Sequence, residues 1–174
     1  MSEAGFNLIM NIMSGIQVFL YAACMTAFFY PFMAGRKEPG KSRIKKVFMV
    51  FAVYMVMYFI GMTTSVYGWL CMIGVIVLLA AASKFLDIER EFTILLGVLF
   101  FCARKLSALI MRSVSFVVDK HLEQKAETLE VTKSIFSRAA SNYAFVAVLQ
   151  MLLLSVMLCV MGRLLKKKIR KLHM

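Results

Sequence analysis

The sequence predicts an all-α fold: a polytopic transmembrane helical bundle of about five spans, N-terminus outside and C-terminus in the cytoplasm. Three observations carry that reading. Hydrophobic residues make up 61% of the 174 and mean hydropathy is +0.80, whereas a soluble domain averages about 45–50% apolar and must keep a polar coat. The apolar residues fall in long runs, and a helix needs about 20 of them to cross the hydrocarbon core. The net charge of +12 sits in blocks between those runs. That distribution matches the positive-inside rule and excludes a nucleic-acid face. No repeat, low-complexity tract or alternating-polarity segment of the kind that builds a barrel is visible.

The runs follow in order. The first covers 6–33, with Pro31 near its end, where a helix break is tolerable. The connector AGRKEPGKSRIKK leads to the second, 47–62. TTSVYG then turns the chain into the third, 67–86. The fourth covers 92–111, a mixed-charge external segment covers 112–142, and the fifth run covers 143–163. The chain closes on GRLLKKKIRKLHM. The N-terminal MSEAGFN has no Lys or Arg and leads into a run too long for a signal-peptide core, so no cleavage is expected.

Charge sets the orientation. Arg36, Lys37, Lys41, Arg43, Lys45 and Lys46 crowd the first connector, and Arg163, Lys166, Lys167, Lys168, Arg170 and Lys171 crowd the tail. Five spans bring both clusters to one side together with Lys84 and Arg90, leaving Lys120, Lys125, Lys133 and Arg138 on the other. The richer side is the cytoplasm. An even number of spans would separate the two clusters.

Several patterns point to no chemistry. Cys24, Cys71, Cys102 and Cys159 each lie inside an apolar run, with no C-x-x-C and no histidine close in sequence. They read as small apolar fillers, without a disulfide framework or a metal site. His121 and His173 read as solvated. Gly35 to Ser42 matches G-x-x-x-x-G-K-[ST], but a phosphate-binding loop needs a strand before it and a parallel sheet around it. Here one membrane run precedes it and another follows. No catalytic residues, cofactor or metal are expected, because no paired carboxylates and no Ser-His or Cys-His arrangement lie at matching depth.

The fourth run is the informative one. Its apolar opening, FTILLGVLFFCA, is too short to span alone. Either the helix carries Arg104 and Lys105 into the bilayer, with Arg112 near the outer boundary, or it ends at Cys102 and the remainder lies along the interface. In the first case an ionisable side chain at depth costs about 2.5–3.5 kcal/mol, and such residues are functional candidates. Asn7, Asn11, Ser14 and Tyr21 form a stripe on the first run, with Gln17 at its edge, and Gln150 and Tyr58 lie at comparable depth. No span supplies an Asp or Glu there. The candidate site is therefore an outward-facing polar cavity lined by Arg104, Arg112, Asn7, Asn11 and Ser14, with Gln150 nearby, in which a ligand carboxylate or carbonyl supplies the missing acceptor. The plainer alternative is polar residues bonding helix to helix. The external segment, with its Leu122, Ala126 and Leu129 stripe, suits a surface helix or ligand cap.

An outside N-terminus, about five spans, no soluble domain and the basic helical exit Met161 to Met174 resemble the sensor half of a Gram-positive, peptide-sensing receptor histidine kinase with a GHKL-type ATPase domain. The resemblance is one of layout and can cover the whole chain. These 174 residues carry no phospho-acceptor histidine region, no ATP-binding asparagine box and no glycine-rich lid. What the resemblance implies is a membrane sensor that binds without phosphorylating, in the bacterial cytoplasmic membrane. Its expected partners are the lipid bilayer, a peptide or small-molecule ligand from outside and a second copy of the chain. Two other readings stand beside it: a small substrate-binding membrane subunit of a vitamin or small-molecule transporter, and an accessory membrane protein.

Overall fold

The computed structural model describes residues 3–33, 40–64, 68–126 and 132–172, with side chains over 5, 7–33, 42–61, 68–116 and 142–167. The order is α1 (Glu3–Phe29), a 3₁₀ turn (Tyr30–Phe32), α2 (Gly40–Thr64), α3 (Gly68–Ala81), the short α4 (Ser83–Leu86), α5 (Arg90–Ala126) and α6 (Thr132–Leu172). Among the described residues there is no strand. Four segments are long and apolar enough to cross a membrane: Asn7–Phe32, Ser42–Gly61, Arg90–Phe116 and Asn142–Lys167. The third run differs from expectation. Its 14-residue helix α3 rises only about 21 Å at 1.5 Å per residue, short of a hydrocarbon core of about 30 Å.

Local chemistry sets the helix ends. Pro31 lacks the N–H that would continue α1, and the chain tightens into the 3₁₀ turn and leaves extended at Met33 (φ −66°, ψ 109°). After α4 the N–H of Ile88 reaches back to the Ser83 carbonyl at 3.2 Å and that of Asp87 to the Lys84 carbonyl at 3.4 Å. This is a Schellman closure, with Asp87 in the left-handed region at φ 52°. The buried Lys46 of α2 forms an ion pair with the Asp87 carboxylate, fixing that turn against α2.

The alternative in which the fourth run stops at Cys102 is corrected. α5 is one helix of 37 residues, passing through Arg104, Lys105 and Arg112 without a break. No Pro interrupts it and its last Gly is Gly97. The external segment is likewise drawn into the helices on either side, α5 reaching Ala126 and α6 starting at Thr132. The P-loop match finds no supporting frame. Gly35 to Pro39 lie outside the described residues, Gly40 opens α2, and a helix and a 3₁₀ turn precede them where a strand is required.

The helices close a ring in the order α1, α2, α3, α5, α6, with α6 packing back on α1. Contacts define their directions. Gln17 meets Gln150, Cys24 meets Ser155 and Phe28 lies beside Gly162, so α1 and α6 run parallel. Arg43 stacks on Tyr30 while Phe51 packs on Phe19, so α2 runs against α1. Phe32 packs edge-on against Phe92 at 5.4 Å, bringing the end of α1 to the start of α5. The end of α1, the Lys46–Asp87 pair, Arg90 and Arg163 therefore gather at one end of the bundle, called here the basic end.

The core lies inside the ring, built from Met25, Phe29, Val50, Tyr54, Leu79, Leu96, Phe100 and Leu154. Gly61, Gly74 and Gly97 leave room for Cys71, Met57 and Ile76 to press between helices; a Cβ on Gly97 would stand 3.0 Å from Ile76 Cγ1. Outside the ring, large apolar side chains remain exposed in helical stripes. Leu8, Ile12, Ile16 and Phe19 mark α1, and Val148, Leu152, Val156, Val160 and Leu164 mark α6. Stripes this long suit a lipid surround and would be a liability in water.

Candidate functional site: an arginine in a tyrosine cage

Arg104 lies about 21 Å along α5 from Arg90, at mid-bundle. α2 presents Tyr54 and Tyr58 four residues apart, on one helical face, their rings stacked with centroids 4.6 Å apart. α1 presents Tyr21 across the ring. Arg104 Nη1 donates to the Tyr54 hydroxyl at 3.0 Å. Its guanidinium carbon lies 4.3 Å from the Tyr21 ring centroid and 4.8 Å from that of Tyr58. Tyr54 is fully buried, with Phe100 and Phe101 of α5 against its ring.

For the part-buried Arg104 each cation–π contact stabilises by about 0.5–2 kcal/mol, and a hydrogen bond from a charged donor adds about 1.5–3 kcal/mol. Together they are of the size needed to offset the cost of placing a guanidinium at depth. A flat, weakly hydrated guanidinium suits such a cage better than an ammonium. The expectation that Arg104 lacks an internal acceptor is thereby corrected: Tyr54 accepts, and aromatic faces stand where a carboxylate was sought.

The cage opens into a second set of polar groups. Gln150 Nε2 donates to the Tyr21 hydroxyl at 2.6 Å, and Gln17 Nε2 donates to the same oxygen at 3.0 Å. Gln17 also approaches Gln150 Oε1 at 3.5 Å, and the Tyr143 hydroxyl donates to Gln17 Oε1 at 3.0 Å. The two sets meet at Tyr21, whose ring faces Arg104 and whose hydroxyl faces the glutamines. One connected network thus joins α1, α2, α5 and α6. Ser107, Thr26 and Thr93 are buried too, but each bonds a carbonyl of its own helix or of the residue preceding it and stands apart from the network.

Of the residues expected to form the site, Arg104 and Gln150 are brought together through Tyr21. The others sit elsewhere. Tyr21 is level with Arg104, so Asn7 lies about 21 Å, Asn11 about 15 Å and Ser14 about 10 Å further along α1. Arg112 lies about 12 Å beyond Arg104 on α5. Asn7, Asn11 and Arg112 are exposed and Ser14 is part-buried. Sequence reasoning missed Tyr54 and Tyr143 altogether and treated Tyr21, Gln17 and Tyr58 as background; the Tyr54/Tyr58 spacing was the available signal. Among the described residues no group of three or more His, Cys, Asp or Glu comes together to hold a metal. The side chain of His121, and His173 entirely, lie outside the described residues. The cage has neither a carboxylate pair nor an activated nucleophile; its chemistry is hydrogen bonding and cation–π attraction. Comparison with protein-family models, with curated proteins and with solved structures finds no match.

Proposed function

We propose that this chain is the membrane-embedded sensory region of a bacterial signal-transduction receptor of the histidine-kinase type, in the cytoplasmic membrane, with its basic end inside. A peptide or small molecule acting from the opposite end would bias the network, and α6 would carry the change inward. The observation that carries the reading is the path of α6. It is one 41-residue helix that meets the network at Tyr143 and Gln150 and leaves the basic end through Arg163, Lys166 and Lys167. A rod anchored in a buried polar network has discrete arrangements to choose between, which a signal can bias.

The reading as a substrate-capture subunit of a transporter needs a polar pocket at the opposite end. Among the described residues, three grooves follow the α1–α6 and α1–α2 seams, and their mainly apolar linings are not of that kind. The test is transmission. A kinase domain of known output is joined after Met174, and one to four alanines are inserted at the junction. At 100° per residue, output should rise and fall with helical phase. Output indifferent to phase would contradict a signalling role for α6.

A further inference from the structure

We propose that the seam between α1 and α6 is a binding site for one anionic phospholipid, its acyl chain lying in the seam and its phosphate held by Arg163 and Lys166. The inference shares with the sensor reading only the inward-facing basic end and otherwise rests on the shape and charge of the seam.

Two grooves open along it. One, of about 340 Å³, is lined by Phe28, Pro31, Leu158 and Gly162 and carries Arg163 and Lys166 at its mouth. The other, of about 380 Å³, continues toward the opposite end past Met13, Ile16, Gln17 and Met151. Both include Cys24 and Ser155, so they form one channel. From Lys166 to Ala144 it follows α6 for about 33 Å, and an acyl chain entering at the basic mouth, in one leaflet, takes the nearer half of it, about 15 Å.

Small side chains create the channel. Cys24 Sγ and Ser155 Oγ meet at 3.9 Å across the seam and form the floor that the two grooves share, while Ala27, Cys159 and Gly162 are too short to fill the groove beside them. The lining is almost wholly apolar and suits an alkyl chain. Among the described residues the only charged side chains along it are the basic pair, one helical turn apart and both exposed. A phosphate at that mouth would take charge-assisted hydrogen bonds from both, and the cytoplasmic leaflet is where anionic lipids concentrate. A second copy of the chain fits less well. A two-fold contact across this seam, with the copies parallel in the membrane, sets each copy's Arg163 and Lys166 against the other's.

The test uses the whole protein in phosphatidylcholine vesicles doped with phosphatidylglycerol carrying a photoreactive acyl chain. After irradiation, adducts are mapped by mass spectrometry and compared with those from equally photoreactive phosphatidylcholine. Phosphatidylglycerol adducts should concentrate at Ala27, Ser155 and Cys159 rather than at outward residues such as Phe48 and Val77. The groove should favour phosphatidylglycerol over phosphatidylcholine by about tenfold. This comparison needs no variant. Arg163→Gln with Lys166→Gln should abolish the preference, Gly162→Leu should reduce groove labelling with the charges intact, and Lys167→Gln should keep both. Equal labelling by the two lipids, or labelling spread evenly over all outward stripes, would overturn the proposal. So would a preference lost equally in Lys167→Gln, which marks diffuse attraction. Oxidative cross-linking of two copies through Cys24 or Cys159, with the groove unlabelled, would assign the seam to a second copy instead.

Discussion

Gln150 donates to the hydroxyl of Tyr21 at 2.6 Å, across the parallel pair α6 and α1. The ring of the same tyrosine lies 4.3 Å from the Arg104 guanidinium carbon. Tyr21 therefore joins a charge on α5 to an amide on α6, although no hydrogen bond links the two directly.

Arg104→Lys should lower the melting temperature of the purified protein more than Arg104→Leu. Lysine keeps the charge and loses the flat stacking on two rings, about 1–2 kcal/mol, or roughly 2–8 °C in a chain of this size. Leucine removes the charge together with its burial cost and should be near neutral. Thermal melts in one detergent decide the order. A silent Arg104→Lys would mean the side chain reaches an interface, outside the cage.

Tyr21→Phe keeps the ring beneath Arg104 and removes the acceptor shared by Gln17 and Gln150. Two amide donors, that of Gln150 buried and that of Gln17 part-buried, would lose that oxygen, at about 1–3 kcal/mol for each left unsatisfied. Tyr58→Phe keeps the ring that Arg104 uses and the stack on Tyr54, and should cost far less. Equal melting shifts for the two variants would argue against the bonding at Tyr21.

The parallel course of α1 and α6 places Arg43, Lys45 and Lys46 at the same end of the bundle as Arg163, Lys166 and Lys167. A reporter fused after Met174 should behave as cytoplasmic, and one inserted between Lys120 and Arg138 as external. Labelling of Lys41→Cys by an impermeant thiol reagent from outside would reverse the orientation.

Gly97→Val should destabilise the α3–α5 contact, because even a Cβ there meets Ile76 at 3.0 Å. Overpacking of this kind costs about 1–3 kcal/mol. Ile76→Ala should recover part of the loss, and melting of the double variant measures how much. No recovery would mean that the close approach at Gly97 is not what limits it.

The helices were largely legible in the sequence, since run length and charge blocks are what hydropathy reports. α3 departed, its 14 residues counted as a span because Tyr67 and Phe85 lengthened the run, and so did the 112–142 segment, into which α5 extends to Ala126 and α6 reaches back to Thr132. Arg104 was legible as a charge at depth. Its surroundings were not, because the polar stripe on α1 drew attention to Asn7 and Asn11, two to four turns from the level where α5 presents the guanidinium. Which level of α1 meets Arg104 is decided by packing such as Phe32 on Phe92, and one helix wheel holds no information about that. Aromatic partners add a further difficulty: hydropathy counts Tyr54 and Tyr58 as membrane filling, while the hydroxyl of Tyr54 and the ring face of Tyr58 receive a cation.

The central claim is that Arg104 and Gln150 act through one network on α6, and a double-mutant cycle tests it most directly. Output is measured from the kinase fusion for Arg104→Leu, Gln150→Leu and the two combined. If both residues act through Tyr21, each single change shifts output and the double variant goes no further than the larger single. Fully additive shifts, or no shift in either single variant, would contradict the account.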